Sequence, residues 1–263
     1  MLAGITAGGL PWAIMFAYAR RPPLPSIPVA AGCGFLTVNV SIIIPALNEA
    51  DRIGTAIERA WSAGADQVIV VDGGSNDATC RNASEFRCLL LNSQPGRATQ
   101  QNTGAQHASG EVLLFLHADN CLAEGAVEQV RVLLSDTAIQ YGAFRQSIQA
   151  SGMRYRLLEW GNGWRVRWRG LPYGDQGIFV RRATFFAAGC FPDVPLMEDL
   201  ILMRDLRAFS WPRLLAGPIQ VDPRRWRRHG VLSQTLRNWW LVRSYDRGIS
   251  LDRLATRYRR HDR

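Results

Sequence analysis

Two neighbouring carboxylates are placed where they could act on a proton. Glu198 and Asp199 stand side by side at the start of an amphipathic stretch that runs to residue 209. A carboxylate in such a position can act as a general base that deprotonates an attacking hydroxyl. The structural alternative is that both acids complement the positive end of a helix dipole. The pair by itself leaves both interpretations open.

A third acidic position follows the apolar run at 112–116, in His117-Ala118-Asp119-Asn120. A hard divalent cation such as Mg²⁺ or Mn²⁺ that is shared with a diphosphate takes one or two oxygens from the protein. Asp119 can supply one of them. His117 can be a second ligand, can donate to a phosphate, or can be a half-buried histidine with a structural role.

Polar side chains also follow the apolar, β-branched run that begins at Val40 and stops at Pro45. Such a run is typical of a strand buried on both faces of a parallel sheet. Asn48 and Glu49 come next, and ligands of open α/β sheets lie at this edge of the strands. The alternative is a plain strand–helix connection in which Asn48 caps the helix.

The next predicted strand ends in a glycine-containing turn, Asp72-Gly73-Gly74-Ser75. Glycines such as Gly74 allow a tight turn and a close approach of the backbone to a ligand. Asp72 can accept a hydrogen bond from a base N–H. Ser75 can cap the following helix, whose N-terminal N–H groups would face an anion. A capped turn without a ligand is the alternative.

All 31 basic residues are arginines, and the chain of 263 residues carries a formal charge of +9. The lack of lysine excludes a lysine Schiff base and a P-loop lysine. The charge suits an anionic ligand or surface, and no nucleic-acid recognition motif accompanies it. Arg97, Arg224 and Arg225, the last two followed by Trp226, are candidate diphosphate clamps because guanidinium matches phosphate geometry.

The pattern of apolar residues predicts an α/β fold. Strands are expected near 40–45, 67–72, 87–92, 111–117, 142–148, 176–181 and 214–221, and helices near 49–63, 77–85, 97–109, 123–135, 152–167, 183–188, 198–209, 230–246 and 250–259. Alternating strands and helices indicate a parallel sheet in the first half, with mixed pairing later and helices at the C-terminus.

These signals occur in one order, each at a strand end, and the constellation resembles the GT-A fold of family-2 glycosyltransferases from about Val40 to Tyr258. The motifs at 170–177, Leu196-Met197-Glu198-Asp199 and 224–232 resemble one bacterial subgroup that is associated with arsenosugar biosynthesis. The resemblance implies a mixed central sheet flanked by helices, with a C-terminal helical elaboration.

The resemblance also implies roles for individual residues. The nucleotide-sugar pocket would be formed by Pro45, Asn48, Glu49, Asp72, Gly74, Ser75, Arg97 and Ala118. Asp119 matches the second aspartate of the metal-binding motif, whereas His117 stands where many relatives have the first. Asp199 matches the catalytic base, with Glu198 beside it. Asp175 and Gln176, together with Arg224, Arg225 and Trp226, would contact the acceptor, the donor sugar or the diphosphate.

The expected activity is inverting transfer of a sugar from a nucleotide diphosphate sugar, UDP-linked by default, to a hydroxyl acceptor, with Mg²⁺ or Mn²⁺ as cofactor. The alternatives are a non-catalytic nucleotide-sugar binding protein and a glycosyltransferase that acts on a lipid-phosphate acceptor at the membrane. A nucleotide-dependent oxidoreductase is disfavoured because the first strand is not followed by Gly-x-Gly-x-x-Gly. The sequence does not predict an oligomeric state.

The chain divides by composition into a poorly ordered extension or linker, residues 1–36, and one domain, 37–263; a weak membrane anchor is the alternative for residues 1–36. Five cysteines without a Cys-x-x-Cys pair favour reduced thiols and a cytoplasmic location. The segment from Met153 to Arg169 alternates arginine with tryptophan and tyrosine. It can line an acceptor groove, touch a membrane surface, or pack through cation–π contacts.

Overall fold

The computed structural model describes residues 38–262, without the side chains of Arg225 and of 259–262. The predicted extension at 1–36 therefore lies outside the described residues, and its boundary with the domain stays a prediction. Within 38–262 the chain forms eight strands and ten α-helices. Both kinds of element alternate in the first half, as the apolar pattern predicts.

The strands form one sheet. They are β1 (Val40–Ala46), β2 (Gln67–Asp72), β3 (Leu89–Asn92), β4 (Val112–Phe115), β5 (Asn120–Leu122), β6 (Tyr141–Ile148), β7 (Phe179–Arg181) and β8 (Arg213–Val221). Their order across the sheet is β3-β2-β1-β4-β7-β6-β8-β5. The pairs β2–β3, β1–β2 and β1–β4 are parallel, whereas β4–β7, β6–β7 and β5–β8 are antiparallel and β6–β8 is parallel. The prediction of a parallel first half and a mixed second half is confirmed.

The helices cover the sheet. They are α1 (Ile53–Ser62), α2 (Thr79–Ser84), α3 (Arg97–His107), α4 (Ala126–Leu134), α5 (Met153–Arg169), α6 (Arg182–Ala187), α7 (Glu198–Leu206), α8 (Arg224–His229), α9 (Val231–Asp246) and α10 (Leu251–Asp262). A 3₁₀ turn spans Gly174–Gln176. Parallel strands need such helical crossovers to return to the same edge of the sheet.

Strand β1 shows why an unbroken apolar run is needed at the centre of the sheet. Ile42 and Ile44 point into one core cluster, which includes the buried faces of α1 and α4. Ile43 points into a second cluster on the opposite face, which includes side chains of α3, α7, α9 and α10. Because both faces are covered by helices, neither set of side chains can be polar.

Several predicted boundaries differ from the structure. The strand predicted near 176–181 is shorter and spans only Phe179–Arg181, because Gln176 belongs to the 3₁₀ turn and Gly177 after it is left-handed. The helix predicted near 49–63 begins at Ile53, since Asn48 adopts a left-handed backbone with a φ of 56° and the chain turns before entering the helix. Two elements, β5 and α8, were not predicted at all. The first is a three-residue strand that exists only by pairing with β8, and the second is a six-residue helix with four arginines and little apolar periodicity.

The helix caps considered for Asn48 and Ser75 are not formed. The residues before α1 and α2 are Arg52 and Ala78, and neither caps its helix through a side-chain hydrogen bond. The Asn48 side chain instead accepts from the backbone N–H of Asn76, and the Ser75 hydroxyl donates to Asp72. These side chains therefore connect the turns after β1 and β2 rather than starting the helices.

One buried amide fastens β1 to β2 at the edge where their carboxyl ends lie. The Gln100 side chain on α3 is almost fully buried, and its nitrogen donates to the carbonyl oxygens of Ala46, at 2.7 Å, and Val71, at 2.9 Å. A buried carbonyl that loses its donor keeps the full cost of desolvation. The Gln100 amide therefore anchors α3 to β1 and β2.

We expect Gln100→Met to lower the free energy of unfolding by about 1–3 kcal/mol, because two strand carbonyls lose a buried donor. Gln106→Met is the matched control, since Gln106 is exposed on the same helix, and it should change stability by less than about 0.5 kcal/mol. Urea unfolding followed by circular dichroism measures both. Equal stability of the two variants would contradict the role of Gln100.

Candidate active site

A cavity of about 640 Å³ opens at the carboxyl ends of β1 and β4. Its walls also include the 3₁₀ turn at 174–176, the start of α7, and parts of α8, α9 and α10. Eleven of the predicted site residues line it, namely Pro45, Glu49, Arg97, His117, Ala118, Asp119, Asp175, Glu198, Asp199, Arg224 and Trp226. Residues that lie far apart in the sequence are therefore brought to one place, as expected for the ligand edge of an α/β sheet.

The Asp199 carboxylate is fixed by two backbone donors. Its Oδ2 atom accepts from the N–H of Gly174 at 2.7 Å, and its Oδ1 atom accepts from the N–H of Leu200 at 2.7 Å. Each carboxylate oxygen has two lone pairs, so both can still accept a further proton donor. The side chain is partly exposed to the cavity and is oriented before any ligand arrives.

Gly174 has no room for a side chain. A Cβ atom at this position would lie 3.0 Å from His117 Nε2 and 3.3 Å from Asp199 Oδ2. The glycine therefore allows the 3₁₀ turn to pass between the end of β4 and the start of α7. His117 and Asp199 both lie close to the Gly174 backbone, where a Cβ atom would crowd them.

Glu198 differs from its neighbour in environment. It is only 6% exposed, and its Oε1 atom lies 3.4 Å from Nη1 of Arg97. Burial, together with the negative charge of Asp199, raises the pKa of Glu198, and Arg97 opposes this rise only in part. Glu198 is thus placed to hold Arg97 at the cavity, whereas Asp199 is the better placed of the two to meet a ligand.

The turn carrying Gly174 is held by a network behind it. Arg165 of α5 donates to the Gln176 side chain at 2.7 Å and lies 3.4 Å from the centre of the Tyr173 ring. The Gln176 oxygen also accepts from the backbone N–H of Tyr173. Gln176 is fully buried and does not line the cavity, in contrast to the expected acceptor or sugar contact. Its position makes it a support for the turn, whereas Asp175 reaches the cavity.

At the other end of the cavity, Arg224 lies between two carboxylates. Its Nε atom is 2.7 Å from Asp222 Oδ2, and its Nη2 atom is 3.6 Å from Asp119 Oδ2. Trp226 lines the same end, and the side chain of Arg225 is not among those the structure describes. One predicted clamp arginine is therefore next to the predicted metal ligand.

The donor set fits a cation that is shared with a substrate. Asp119 is 39% exposed and faces the cavity beside His117. Among the described residues no group of three or more His, Cys, Asp or Glu side chains could hold a metal ion by itself. Mg²⁺ is commonly held by one or two carboxylates and completed by phosphate oxygens and water. The residues present suit that arrangement rather than an all-protein cage.

The turn after β2 forms a second cluster next to the cavity lining. Asp72 is only 3% exposed and accepts from the backbone N–H groups of Gly74 and Ser75, both at 2.9 Å, and from the Ser75 hydroxyl. Burial works against the charge of Asp72, but the bonds from Ser75 and Gly74 lower its pKa overall. Gly74 has a φ of 89°, which a glycine adopts without strain.

This cluster joins β1 to β2. The Ser75 hydroxyl oxygen accepts from the backbone N–H of Asn48 at 2.9 Å, and the N–H of Glu49 donates to Thr79. Asp72, Gly74, Ser75 and Asn48 do not line the cavity itself, although Pro45 and Glu49 do. The polar turn is thus built to keep an ionised carboxylate at the strand tip, and its contact with a base stays a prediction.

The structure adds site residues that the sequence did not single out. Asp222, Tyr173, Asn238 and Tyr258 all line the cavity. Tyr173 lies within the motif at 170–177, which could have drawn attention to it. Asn238 and Tyr258 come from α9 and α10, and only the packing of these helices brings them to the site.

The backbone just before the carboxylate pair is also unusual. Met197 is buried and has a φ of 67°, which is rare for a residue with a long side chain. Such conformations persist where the surroundings impose them, and they concentrate at functional turns. Here the left-handed conformation of Met197 allows the chain to enter α7 with Glu198 and Asp199 both lining the cavity.

Comparison with known proteins places the chain in a family. The family model described as "Glycosyl transferase family 2" matches residues 41–191, more than half of the chain, so the protein belongs to glycosyltransferase family 2. The PGL/p-HBAD biosynthesis glycosyltransferase of Mycobacterium bovis is 28% identical over 216 residues, which cover 74% of this chain and 79% of that protein.

A lipid-linked acceptor appears in the name of another relative. The undecaprenyl-phosphate 4-deoxy-4-formamido-L-arabinose transferase of Sodalis glossinidius is 28% identical over 158 residues, which cover 54% of this chain and 48% of that protein. This chain therefore matches about half of that relative.

Solved structures support the fold. S. aureus TarS 1–349 in complex with UDP-GlcNAc superposes with a TM-score of 0.55 at 18% identity, covering 70% of this chain and 58% of that one. The mannosyltransferase PcManGT of Pyrobaculum calidifontis, solved with GDP-Man and Mn²⁺, gives a TM-score of 0.54 at 20% identity over 79% of this chain and 61% of that one. The expectation of a GT-A fold is confirmed.

The environment of Glu198 leads to a pH-dependent prediction. A carboxyl whose pKa is raised in the folded state stabilises the fold below its unfolded pKa, about 4.3. That contribution is lost as the pH rises through the folded-state pKa. We therefore expect the stability of the parent protein, relative to Glu198→Gln, to fall as the pH increases over this range.

Urea unfolding at a series of pH values measures the difference between the two proteins. The same series for Glu58→Gln, at an exposed position on α1, corrects for the general effect of removing a glutamate. If the stability of the parent protein relative to Glu198→Gln instead increased with pH, the raised pKa of Glu198 would be contradicted.

Proposed function

We propose that this family-2 glycosyltransferase transfers a sugar from a nucleoside diphosphate donor to a hydroxyl acceptor with inversion at the anomeric carbon. The observation that carries the proposal is the position of Asp199. Its carboxylate is held by the N–H of Gly174 inside a cavity that also contains Arg97 and Arg224. A candidate base and cationic groups that could stabilise an anionic leaving group therefore line the same cavity.

In this mechanism the acceptor hydroxyl attacks the anomeric carbon from the face opposite the leaving diphosphate. The new carbon–oxygen bond forms as the bond to the diphosphate breaks, and Asp199 takes the hydroxyl proton. The two backbone N–H donors keep the carboxylate in position throughout. A positioned general base contributes about 10²–10⁴-fold in rate.

Arg97 and Arg224 are the groups proposed to bind the diphosphate. Arg97 is balanced by Glu198 and Arg224 by Asp222, so each guanidinium is held at the cavity by a carboxylate partner. A guanidinium offers more N–H donors than one carboxylate can use, and the remaining ones suit phosphate oxygens. A divalent cation held by Asp119, with His117 beside it, would neutralise charge on the departing diphosphate.

The turn at 72–75 with Asn48 and Glu49 is proposed as the nucleoside end of the site. Asp72 stays ionised there, which suits a donor N–H on a base, and Ala118 and Pro45 provide apolar walls. Uridine is the default nucleoside, supported by the complex of TarS with UDP-GlcNAc. The complex of PcManGT with GDP-Man and Mn²⁺ supports a divalent metal in general.

For the acceptor we keep the two expectations from the sequence. A role in arsenosugar biosynthesis is supported by the motifs at 170–177 and 224–232. A lipid-phosphate acceptor is favoured by the undecaprenyl-phosphate relative. A cytoplasmic enzyme that contacts the membrane from outside the bilayer would be compatible with both. None of the described helices is long and apolar enough to cross a membrane.

We expect Asp199→Asn to lower kcat by about 10²–10⁴-fold, because the amide cannot take the proton. Its affinity for the donor should be nearly unchanged, since the amide oxygen can still accept from the N–H of Gly174 and only the hydrogen bond from the N–H of Leu200 is lost. Asp193→Asn, at an exposed position just before α7, is the matched control and should keep full activity.

The measurement is release of nucleoside diphosphate from a panel of nucleotide sugars, together with calorimetric donor binding. Near-normal turnover in Asp199→Asn would remove Asp199 as the base. Tight donor binding by the parent protein without any release of nucleoside diphosphate would favour the non-catalytic binding protein.

A second prediction concerns the cation. Asp119→Ala should remove most of the metal-dependent part of the donor affinity and leave binding of the free nucleoside nearly intact, because the carboxylate lies 3.6 Å from Arg224, one of the proposed diphosphate ligands. Calorimetry of both proteins with and without Mn²⁺ measures this. Equal donor affinity under all four conditions would exclude Asp119 as a metal ligand.

A further inference from the structure

Helix α5 presents large apolar side chains to the outside. Met153, Leu157, Trp160, Trp164 and Trp168 are between 50% and 73% exposed. Their spacing of three and four residues places them in one stripe along the helix. In a globular protein the side of a helix that faces water is normally polar. This helix has the reverse pattern, and its inward side carries the buried Tyr155 and Val166.

The tryptophans of the stripe contact one another rather than the core. The ring centres of Trp160 and Trp164 are 6.2 Å apart, and those of Trp164 and Trp168 are 5.2 Å apart. Three neighbouring indoles, each tilted by 32° relative to the next, form a contiguous apolar surface along the outside of the helix. Surfaces of this kind mark an interaction site more often than scattered exposed side chains do.

Helix α9 repeats the pattern and lies next to α5. Leu232, Leu236 and Trp239 are between 63% and 78% exposed, at spacings that share one side of the helix, while Leu241 is buried on the other side. The two helices also meet through a small core cluster that contains Tyr155 and Val231. We refer to the two outward stripes together as the apolar face.

Arginines accompany the apolar face. The exposed ones on the two helices are Arg154, Arg156, Arg167, Arg169 and Arg243. Each helix contains a single acidic residue, and each is paired: Glu159 with Arg156 at 2.9 Å, and Asp246 with Arg204 at 2.6 Å. The charge beside the apolar face is therefore positive, in agreement with the net charge of +9 for the whole chain.

We propose that the apolar face docks on the interface of an anionic lipid bilayer. Tryptophan and leucine along one side, with arginine beside them, are the composition that lies flat in the headgroup region. Tryptophan suits this depth because its ring is apolar and its N–H can still bond to water or headgroups. Positively charged side chains near an anionic surface add attraction that salt weakens.

The position of the face has a consequence for the active site. Helix α9 contributes Asn238, Leu241 and Val242 to the cavity and Leu232, Leu236 and Trp239 to the apolar face. A docked bilayer would thus lie along a helix that lines the cavity. The docking itself does not depend on the proposed glycosyl transfer, and it can be measured without any substrate.

The test is flotation of the full chain with vesicles of phosphatidylcholine mixed with phosphatidylglycerol, and with vesicles of phosphatidylcholine alone. The parent protein should float with the anionic vesicles, and added salt should weaken the binding. Trp164→Glu, in the middle of the stripe, should reduce binding by on the order of tenfold or more, because a charge replaces an exposed indole that docking would bury in the bilayer interface.

Val132→Glu is the matched control, since Val132 is 46% exposed on a helix, α4. Helix α4 packs on the face of β8 opposite to the one that α5 covers. Leu215 of β8 belongs to the core cluster that contains α4, whereas the neighbouring Leu214 lies near Gly163 of α5. Val132→Glu should therefore bind vesicles like the parent protein. Both variants carry residues 1–36, so any binding through that segment is common to both.

Equal vesicle binding by Trp164→Glu and Val132→Glu would overturn the proposal, and so would a parent protein that does not float. Light scattering without vesicles adds a second criterion. If Trp164→Glu converts an oligomer into a monomer and leaves vesicle binding unchanged, the face joins two copies of the chain and the proposal is wrong. Thermal unfolding of both variants confirms that the comparison is made between folded proteins.

Discussion

The candidate active site depends on one hydrogen bond, from the backbone N–H of Gly174 to the Asp199 carboxylate at 2.7 Å. It connects the turn before β7 to the start of α7, and the same glycine lies against His117 at the end of β4. Three segments from separate parts of the chain therefore meet around a residue that has no side chain. The network of Arg165, Gln176 and Tyr173 behind the turn keeps this meeting point in place.

Charge balance is the second constraint on the cavity. Each of its two candidate clamp arginines is paired with a carboxylate, Arg97 with Glu198 and Arg224 with Asp222. Arg224 is also close to Asp119. Guanidinium groups cannot lose their charge, so a cavity with no bound anion needs such partners. An incoming diphosphate would share these arginines with the carboxylates.

The helices α5 and α9 show that one element can serve two surfaces. Their inner sides complete the core and the cavity, whereas their outer sides carry exposed tryptophan and leucine. In α5 the arginine–aromatic pattern serves several purposes at once. Arg165 packs over Tyr173 and supports the site, Arg154 lies over Tyr155, and the tryptophans project outward. Cation–π packing and an exposed surface are therefore both features of this segment.

The sequence predicted the fold well because its signals are local. Apolar β-branched runs such as Val40–Pro45, alternating with helical patterns, indicate strands buried under helices, and polar groups at strand ends indicate the ligand edge. The carboxylate pair, Asp119 and the candidate clamp arginines could be named for the same reason. Membership of the glycosyltransferase family was expected from the resemblance of these motifs to that family. The exact helix starts could not, since Asn48 and Ser75 bond across two turns instead of capping their helices.

Only the tertiary structure decided which of these residues act together. It separated Asp199, held by Gly174, from Glu198, buried against Arg97, although the two are adjacent in the chain. It turned Gln176 away from the cavity and brought in Asp222, Asn238 and Tyr258. It also created β5, which has too few residues to be stable without β8. The physical reason is common to all of these: the identity of a side chain is local, whereas its burial and partners depend on segments that are distant in the sequence.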